Sequence, residues 1–352
     1  MALLEVKDLR VHFDTDDGVV HAVDGVSYSV DVGRALGVVG ESGSGKSVSS
    51  LTFLGLTRAK NAHISGEVLF DGRDLLQMSD KELRAIRGEE IAMIFQDPLT
   101  SLHPFYRIGD QLAEAVRAHH KVSKSAARDK AVEQLRLVGM PDPRGRLDAY
   151  PHEFSGGMRQ RTMIAMALIN EPRLIIADEP TTALDVTVQA QILELIGRLQ
   201  QETGTAVILI THDLGVVAEM TQEIAVMYSG RVIERASTTA LFAEPQHPYT
   251  WGLLRSIPRL DAARDVKLEP IEGRPPSLIN RPSGCHFHPR CPYVLEAHKR
   301  VDPELEAAGS AEGHVAACLL PPSTRRELWR RLADGQASSQ ARAAVPMGDS
   351  AS

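Results

Sequence analysis

The chain has 352 residues, of which 43% are hydrophobic and 24% are charged, and its formal net charge is −7. This length allows two or three domains with an ample core, and the negative charge argues against a nucleic-acid-binding surface spread over the protein. The longest apolar runs fall far short of the roughly 18–20 residues that span a bilayer, and the first residues lack the pattern of a secretory signal, so we expect a cytosolic protein or one docked on a membrane component.

The first elements in chain order are strands. Residues 3–13 and 26–30 are rich in β-forming residues and are separated by a polar turn at 14–18, which predicts a mostly antiparallel piece. Residues 35–39 form a short apolar strand that leads directly into a Gly-rich loop, and residues 48–56 then have the pattern of a helix. This order of strand, Gly-rich loop and helix is the context that a phosphate-binding loop requires.

The Gly-rich loop fits the pattern G-x-x-x-x-G-K-[ST] without a mismatch. Its glycines let backbone N–H groups surround phosphate oxygens, its lysine reaches the outer phosphates, and its last hydroxyl is placed to bind Mg²⁺. The helix that follows presents its positive end to the same phosphates. The predicted nucleotide-binding residues are Gly40, Glu41, Ser42, Gly43, Ser44, Gly45, Lys46 and Ser47.

Helices and buried strands follow the loop. Residues 108–119 and 125–138 look like amphipathic helices, and residues 187–202 place apolar side chains on one helical face. Residues 174–178 and 206–210 are continuous apolar strands. Apolar strands that alternate with helices indicate an α/β fold with a parallel sheet covered on both faces.

Polar residues follow several of these strands. Asp178 can hold Mg²⁺ opposite Ser47, and the neighbouring Glu179 can orient or deprotonate an attacking water. His212 follows the next strand, where ligands bind in parallel sheets, and Gln96 follows the apolar stretch 91–95. Hydrolysis of a γ-phosphate needs little beyond such positioning and charge neutralisation.

Taken together, these residues resemble the ATP-binding subunit of an ABC transporter over about residues 3–240. The resemblance rests on the loop at 40–47, Gln96, the Phe-Ser-Gly-Gly-Met-Arg-Gln-Arg stretch at 154–161, Asp178-Glu179, the Ala-Leu-Asp turn at 183–185 and His212, in the order of the family. It implies that Glu179 is the catalytic base, that His212 senses the γ-phosphate, and that Gln96 contacts Mg²⁺ and the lytic water and links hydrolysis to membrane subunits. It also implies that Phe13 stacks on adenine. Phe154 and Met158 replace the commonest leucine and glutamine of this stretch.

The signature Ser155, Gly156 and Gly157 opens a helix, whose positive end suits a phosphate. By the family resemblance it acts on ATP bound to a second subunit, and the chain carries only one such set. A second identical or related ATPase subunit is therefore expected. The implied fold is a P-loop ABC ATPase core with an antiparallel β subdomain, a helical signature subdomain and a small C-terminal Cys/His-containing domain.

Stretches outside this core resemble the dipeptide/oligopeptide importer branch: residues 96–103, 244–250 and 282–292. That resemblance implies ATP-driven peptide uptake, with nickel or another small solute as the alternative cargo, at the cytoplasmic face of the membrane. An external binding protein delivers the cargo to two membrane-spanning subunits, on which the helical region docks. A soluble non-transport ABC ATPase is the more distant alternative. The expected domains are residues 1–243, including a helical subdomain at about 97–160, then 244–334, and a disordered tail at 335–352.

The three cysteines all follow residue 284, and their odd number argues against a disulfide framework. Some members of the branch hold a [4Fe–4S] cluster with four cysteines at this place, whereas here His298 stands where the fourth would be. Imidazole can replace thiolate on iron, and three cysteines with one histidine also form a normal zinc set. A third alternative is buried thiols without a metal. The candidate ligands are Cys285, Cys291, His298 and Cys318.

Overall fold

The structure is a computed structural model that describes residues 2–97, 101–181, 186–256 and 269–347. The Ala-Leu-Asp turn predicted at 183–185 lies outside the described residues. The strands are β1 (Ala2–Thr15), β2 (Gly18–Asp31), β3 (Ala35–Val39), β4 (Ala62–Phe70), β5 (Arg73–Asp74), β6 (Ile91–Ile94), β7 (Leu174–Asp178), β8 (Ala206–Thr211), β9 (Glu223–Tyr228), β10 (Arg231–Ser237), β11 (Glu306–Ala307) and β12 (Val315–Ala316).

The α-helices of the described residues are α1 (Lys46–Phe53), α2 (Asp80–Ile86), α3 (Ile108–Arg117), α4 (Lys124–Leu137), α5 (Pro143–Arg146), α6 (Gly156–Leu168), α7 (Val186–Thr203), α8 (Leu214–Met220), α9 (Thr238–Ala243), α10 (Pro248–Arg255), α11 (Pro322–Ala333) and α12 (Ser338–Ala344). Single-turn 3₁₀ helices lie at Pro151–Glu153, His288–Arg290 and Glu296–Lys299.

Two sheets form the framework. The first is antiparallel, with the strand order β2-β1-β4-β5, and its long β1–β2 hairpin closes where Thr15 pairs with Gly18. The second has the order β11-β12-β10-β9-β3-β8-β7-β6, and its pairs from β9 to β6 are parallel. Every residue of β3, β7 and β8 is buried, as expected for strands that are covered on both faces.

The core has layers that match this framework. One cluster fills the space between the antiparallel sheet and the parallel sheet, with α1 between them. A second cluster joins the other face of the parallel sheet to α3, α4, α6 and α7. The continuous apolar strands therefore hold the sheet between two hydrophobic layers, and the ends of those strands remain at its edge, where polar side chains are free to meet.

The C-terminal region, residues 238–256 and 269–347, joins the second sheet directly. β12 pairs with β10, and β11 pairs with β12. Glu234 of β10 is fully buried, accepts hydrogen bonds from the backbone N–H groups of Gln246 and His247 in this region, and pairs with His314 of the same region. Buried charge is tolerated where each oxygen finds a donor, so Glu234 fixes the region to the sheet.

Part of the C-terminal tail is helical, which differs from the prediction of disorder. Residues 335–352 were expected to be disordered because they hold no aromatic residue and little to bury, whereas the structure has a helix, α12, over Ser338–Ala344. Ala341 and Val345 pack in a cluster with Trp251, Tyr293 and Leu328. The apolar partners lie elsewhere in the chain, so the composition of the tail alone did not show that it could be buried. None of the helices in the described residues is long and apolar enough to cross a membrane.

Candidate functional site

The Gly-rich loop connects β3 to α1 and needs glycine at two crowded positions. Gly40 and Gly45 have φ angles of 155° and 97°. A Cβ atom would lie 2.2 Å from the Met227 carbonyl oxygen at the first and 2.3 Å from the Ala22 carbonyl oxygen at the second. Because these distances are too short for a residue with a Cβ atom, only glycine fits at either position, and the loop packs directly against the backbone of β9 and β2.

Lys46 is buried at the start of α1, and its ammonium group is bound by the loop itself. Its Nζ donates to the Gly40 carbonyl at 2.7 Å and to the Glu41 carbonyl at 3.0 Å. Burial lowers the pKa of Lys46, and the nearby carboxylates of Glu179 and Asp178 oppose that shift. The loop thus holds a cation over the place that the phosphates of a nucleotide would occupy.

Ser47 and Asp178 meet across the site. The Ser47 hydroxyl donates to the Asp178 carboxylate at 3.0 Å, and Asp178 ends β7 with 8% of its surface exposed. Burial raises the pKa of Asp178, the Ser47 hydrogen bond lowers it, and the adjacent charge of Glu179 raises it further. A cation beside this pair would offset the cost of the buried charge, so these oxygen ligands fit Mg²⁺.

Glu179 lies at the centre of the polar edge. Gln96 donates from Nε2 to one Glu179 carboxylate oxygen at 2.8 Å, and Nδ1 of His212 lies 3.4 Å from the other. The Glu179 N–H donates to the Ile210 carbonyl of β8 at 2.8 Å. Side chains that follow two neighbouring strands, β6 and β8, thereby converge on the carboxylate that follows β7.

These groups share one cavity of about 450 Å³. The cavity is lined by Ser42, Gly43, Ser44, Gly45, Lys46, Ser47, Val48, Gln96, Glu179 and His212. A larger cavity of about 810 Å³ lies in the C-terminal region. Its Arg255 is paired with Glu269 and its Arg342 donates to backbone carbonyls, and its lining includes neither the Gly-rich loop nor the polar residues that follow the parallel strands. We place the functional site at the smaller cavity.

The signature residues lie outside that cavity, at the start of α6. Ser155 caps α6, with its hydroxyl accepting from the Met158 N–H at 3.3 Å, and both Ser155 and Gly156 are exposed. A Cβ atom on Gly156 would meet nothing within 4 Å, and one on Gly157 would contact Val188 at 3.3 Å. None of the three lines the cavity of the same chain, as far as the described residues show.

Phe13 lies in β1, where it pairs with Val20 of β2 and with Ala62 of β4. Its ring is half-buried against the core cluster of the antiparallel sheet and is not among the cavity-lining residues. Its contact with adenine stays a prediction.

The candidate Cys/His ligands show no metal-binding arrangement in the part of the chain that the structure describes. Among the described residues, no group of three or more His, Cys, Asp and Glu side chains could hold a metal ion. Cys285, Cys291 and Cys318 are unpaired and lie against apolar clusters. Burial raises the pKa of all three thiols, that of Cys318 to about 12. This finding gives no support to an iron–sulfur cluster or to zinc.

Two buried polar groups near the thiols nevertheless lack partners in the described part of the chain. His298 accepts the Leu295 N–H at Nδ1, but its Nε2 has no hydrogen bond. Two guanidinium nitrogens of Arg325 are also without partners, and the charge of this residue acts on Cys318. Orphaned groups of this kind call for an explanation.

Sequence reasoning did not identify two residues that touch the phosphate loop. Tyr249 accepts the Glu41 N–H at 2.8 Å, and Arg290 forms an ion pair with the Glu41 carboxylate at 2.6 Å. Both lie in stretches that the importer resemblance had singled out, at 244–250 and 282–292, without a role for either residue. The contacts join positions more than 200 residues apart, which no local pattern indicates.

The Gly-rich loop, the acidic end of β7 and the side chains of Gln96 and His212 lie together at the carboxyl edge of a parallel sheet. This fold and site define the class of the P-loop nucleoside triphosphatases. Comparison with protein families agrees. Residues 23–182 match the ABC transporter family, and residues 233–297 match the oligopeptide/dipeptide transporter C-terminal region.

Two curated relatives are similar over nearly their whole length. The Bacillus subtilis dipeptide transport ATP-binding protein DppD is 54% identical, covering 90% of this chain and 94% of the relative. The Escherichia coli oligopeptide transport ATP-binding protein OppD is 50% identical, covering 91% and 94%. Among solved structures, the dimeric post-hydrolysis state of the ATP-binding cassette MJ0796 bound to ADP and Pi has a TM-score of 0.61 at 27% identity, covering 67% of this chain and 98% of that one. The chain belongs to the ABC transporter family of ATP-binding proteins, and its enzymatic class is ATPase.

Proposed function

We propose that the chain is the ATP-hydrolysing subunit of an ABC importer that takes up dipeptides or oligopeptides. The observation that carries the proposal is the convergence of Gln96, Glu179 and His212 on the cavity that also holds the phosphate loop. The two relatives named above are peptide transport proteins, and their similarity extends over most of the chain, which supports the choice of peptides. Nickel or another small solute is the alternative cargo.

Within this proposal each residue has a defined task. Lys46 and the loop N–H groups hold the phosphates, and Ser47 and Asp178 hold Mg²⁺, with Gln96 contacting the same ion. The bound cation neutralises charge on the phosphate oxygens. Glu179 accepts a proton from the attacking water, and Gln96 and His212 keep its carboxylate aimed into the cavity. Phe13 stacks on adenine in the proposed complex.

The same proposal sets the assembly. The exposed Ser155 and Gly156 and the half-buried Gly157 contact the ATP of a second subunit, identical or related, so that two nucleotides bridge two chains. We further propose that the ATPase domain spans residues 1–243 and the appended region residues 244–334. A helical subdomain at about 97–160 docks on two membrane-spanning subunits. The ATPase is then peripheral, on the cytoplasmic face of the membrane, and an extracytoplasmic binding protein delivers the cargo.

Uptake by proteoliposomes tests the proposal. The vesicles contain this chain, its partner ATPase, the two membrane subunits and the binding protein, with ATP supplied on the side of the ATPase. We expect ATP-dependent accumulation of a labelled dipeptide and none of ⁶³Ni²⁺. Accumulation of nickel but not of peptide would reverse the cargo assignment, and ATP turnover without any uptake would favour a non-transport ATPase.

The metal centre at Cys285, Cys291, Cys318 and His298 stays a prediction. The orphaned Nε2 of His298 and the unpaired nitrogens of Arg325 fit a bound anionic group. Because Nδ1 of His298 accepts the Leu295 N–H, the ring proton lies on Nε2, which is therefore a donor to such a group, and Arg325 supplies a counter-charge. Anaerobic purification with iron, sulfide and zinc analysis decides the question. Iron with sulfide and broad visible absorption supports the cluster, zinc replaces it, and the absence of all three leaves buried thiols.

A further inference from the structure

Arg290 reaches from the C-terminal region into the phosphate loop. It ends the 3₁₀ turn His288–Arg290, directly before Cys291, and its side chain is only 4% exposed. Its two terminal nitrogens donate to the two carboxylate oxygens of Glu41, at 2.6 Å and 3.0 Å. Nε donates to the Glu272 carbonyl at 2.9 Å, which fixes the plane of the guanidinium group. A bidentate pair held in this way is directional as well as attractive.

Tyr249 holds the main chain of the same loop residue. Its hydroxyl oxygen accepts the Glu41 N–H at 2.8 Å. The ring is fully buried and packs against Tyr228 and Phe287, with centroid distances of 4.7 Å and 5.4 Å. The C-terminal region therefore holds Glu41 at both its carboxylate and its backbone N–H, from two different elements.

Glu41 in turn contacts the phosphate-binding lysine. Its carbonyl oxygen accepts from Lys46 Nζ at 3.0 Å, and the preceding Gly40 is packed against the backbone of β9. A shift of Glu41 would therefore move a hydrogen-bond partner of Lys46 and alter the first turn of the loop. Without Arg290, the Glu41 carboxylate would also stand uncompensated beside a site for a polyphosphate, and like charges repel strongly where water is partly excluded.

We propose that Arg290 is a positioning residue for ATP. Through its pairing with Glu41, the C-terminal region holds the phosphate loop in its binding form, and the positive charge of Arg290 cancels the negative charge of the Glu41 carboxylate in that loop. This inference rests on the proposed ATPase function. It gives the C-terminal region a role in nucleotide binding that does not depend on metal binding. A preorganised loop binds more tightly because less ordering remains to be done when the ligand arrives.

ATP affinity of the purified full-length chain tests the inference, with kcat measured in the assembled transporter. We expect Arg290→Met to raise the Kd for ATP about tenfold and to change kcat at saturating ATP less than twofold. Arg290→Lys keeps the charge and loses the bidentate geometry, so its Kd should rise about threefold. Arg300→Met is the matched control, since it removes an exposed arginine of the same region; its Kd should equal that of the wild type.

A double-mutant cycle separates positioning from general destabilisation. Glu41→Gln removes the charge that Arg290 neutralises, so the double variant Arg290→Met/Glu41→Gln should bind ATP no more weakly than Arg290→Met alone. A multiplicative loss in the double variant would overturn the inference. So would a lowered Tm in Arg290→Met or Arg290→Lys with an unchanged Kd, because that is the signature of a structural role. Failure of the wild-type chain to bind ATP would instead refute the proposed function.

Discussion

Glu179 has a backbone conformation that few residues other than glycine adopt. Its φ is 45°, in the left-handed region, which costs an L-residue roughly 1–2 kcal/mol. The surrounding structure fixes this geometry through the N–H bond to Ile210 and through Gln96 on the side chain. Strain of this kind at a cavity is a mark of functional positioning, and here it turns the carboxylate from the strand end towards the cavity.

Replacing the carboxylate of Glu179 tests its role as a base. Glu179→Gln keeps the size of the side chain but cannot take up a proton, so kcat for ATP hydrolysis should fall by about 10²–10⁴-fold, with the Kd for ATP within about twofold of the wild type. Steady-state phosphate release and equilibrium ATP binding give the two numbers.

Glu171→Gln is the control for the Glu179 variant. Glu171 also has a positive φ, of 57°, but its side chain is 76% exposed and pairs with Lys130. Its substitution should leave kcat unchanged. If Glu179→Gln turned over ATP at the wild-type rate, Glu179 would not be the base.

The residues of the nucleotide site were largely predictable because each belongs to a short pattern with a mechanical reason. Gly40, Lys46 and Ser47 follow from the geometry of a phosphate-binding loop, and Asp178 follows from its place at the end of a buried strand. The partners of Glu41 could not be predicted in this way. Arg290 is 249 positions away from Glu41, and only tertiary folding brings the two together.

Asp24 of β2 links elements that are distant in sequence. Its carboxylate, with a side chain 4% exposed, pairs with Arg10 of β1, Arg231 of β10 and Arg281 of the C-terminal region. Burial alone would raise the pKa of Asp24, but the hydrogen bonds from Arg281 and Arg231 hold it well below its usual range. One carboxylate therefore connects the two sheets and the appended region.

Asp24→Asn should destabilise the fold by about 3 kcal/mol, because it leaves three arginines without their shared counter-charge. Asp302→Asn is the matched control: it removes the other partner of Arg231, which is 50% exposed, and should cost less than about 1 kcal/mol. Denaturant unfolding followed by circular dichroism measures both. Equal losses for the two variants would contradict the linking role of Asp24.

The contribution of Asp24 to the stability of the fold depends on pH with a definite sign. The folded-state pKa of Asp24 lies below its unfolded value of about 3.9. The stabilisation is therefore fully present above about pH 5 and is lost as the pH falls towards the folded-state pKa. Below pH 4 the gap in stability between the wild type and Asp24→Asn should narrow.

Several elements of the core were predicted from periodicity, and most of their observed limits differ by only a few residues, although the strand expected at 26–30 is the end of the longer β2 (Gly18–Asp31). The helix expected at 187–202 spans Val186–Thr203, and the strand expected at 174–178 is β7. The strands β4, β9 and β10 were not predicted. The short strands β11 and β12 and the helix α12 were also missed. Each is too short for a periodic pattern, and each is stabilised by partners in other parts of the chain, such as β10 for β12 and Trp251 for α12.

At the scale of the whole molecule, the cavity and the signature lie on the same chain but do not meet. Ser155 and Gly156 are exposed at the start of α6, whose N–H groups carry partial positive charge. A helix end with an exposed serine and an exposed glycine is suited to a phosphate that arrives from outside the chain. The architecture therefore fits hydrolysis at the interface of two subunits, which is the arrangement proposed above.

Ser155→Arg tests that arrangement directly. A bulky cation at the start of α6 should block the approach of the second subunit, so ATPase activity should fall at least about tenfold while the Kd for ATP of the isolated chain stays unchanged. In the Glu179→Gln background, light scattering with ATP should show a dimer for Glu179→Gln alone and a monomer when Ser155→Arg is added. Where the partner is a related chain, the same measurement is made on the mixture of the two.

Ser123→Arg controls for damage to helix capping. Ser123 caps α4 as Ser155 caps α6, with its hydroxyl accepting the Ala126 N–H at 3.1 Å, so both substitutions lose a cap worth about 1 kcal/mol. Only the Ser155 variant should lose dimerisation and turnover. If both variants lost turnover equally, the effect would be one of helix stability. If neither did, the signature would not be acting on the nucleotide of a second chain.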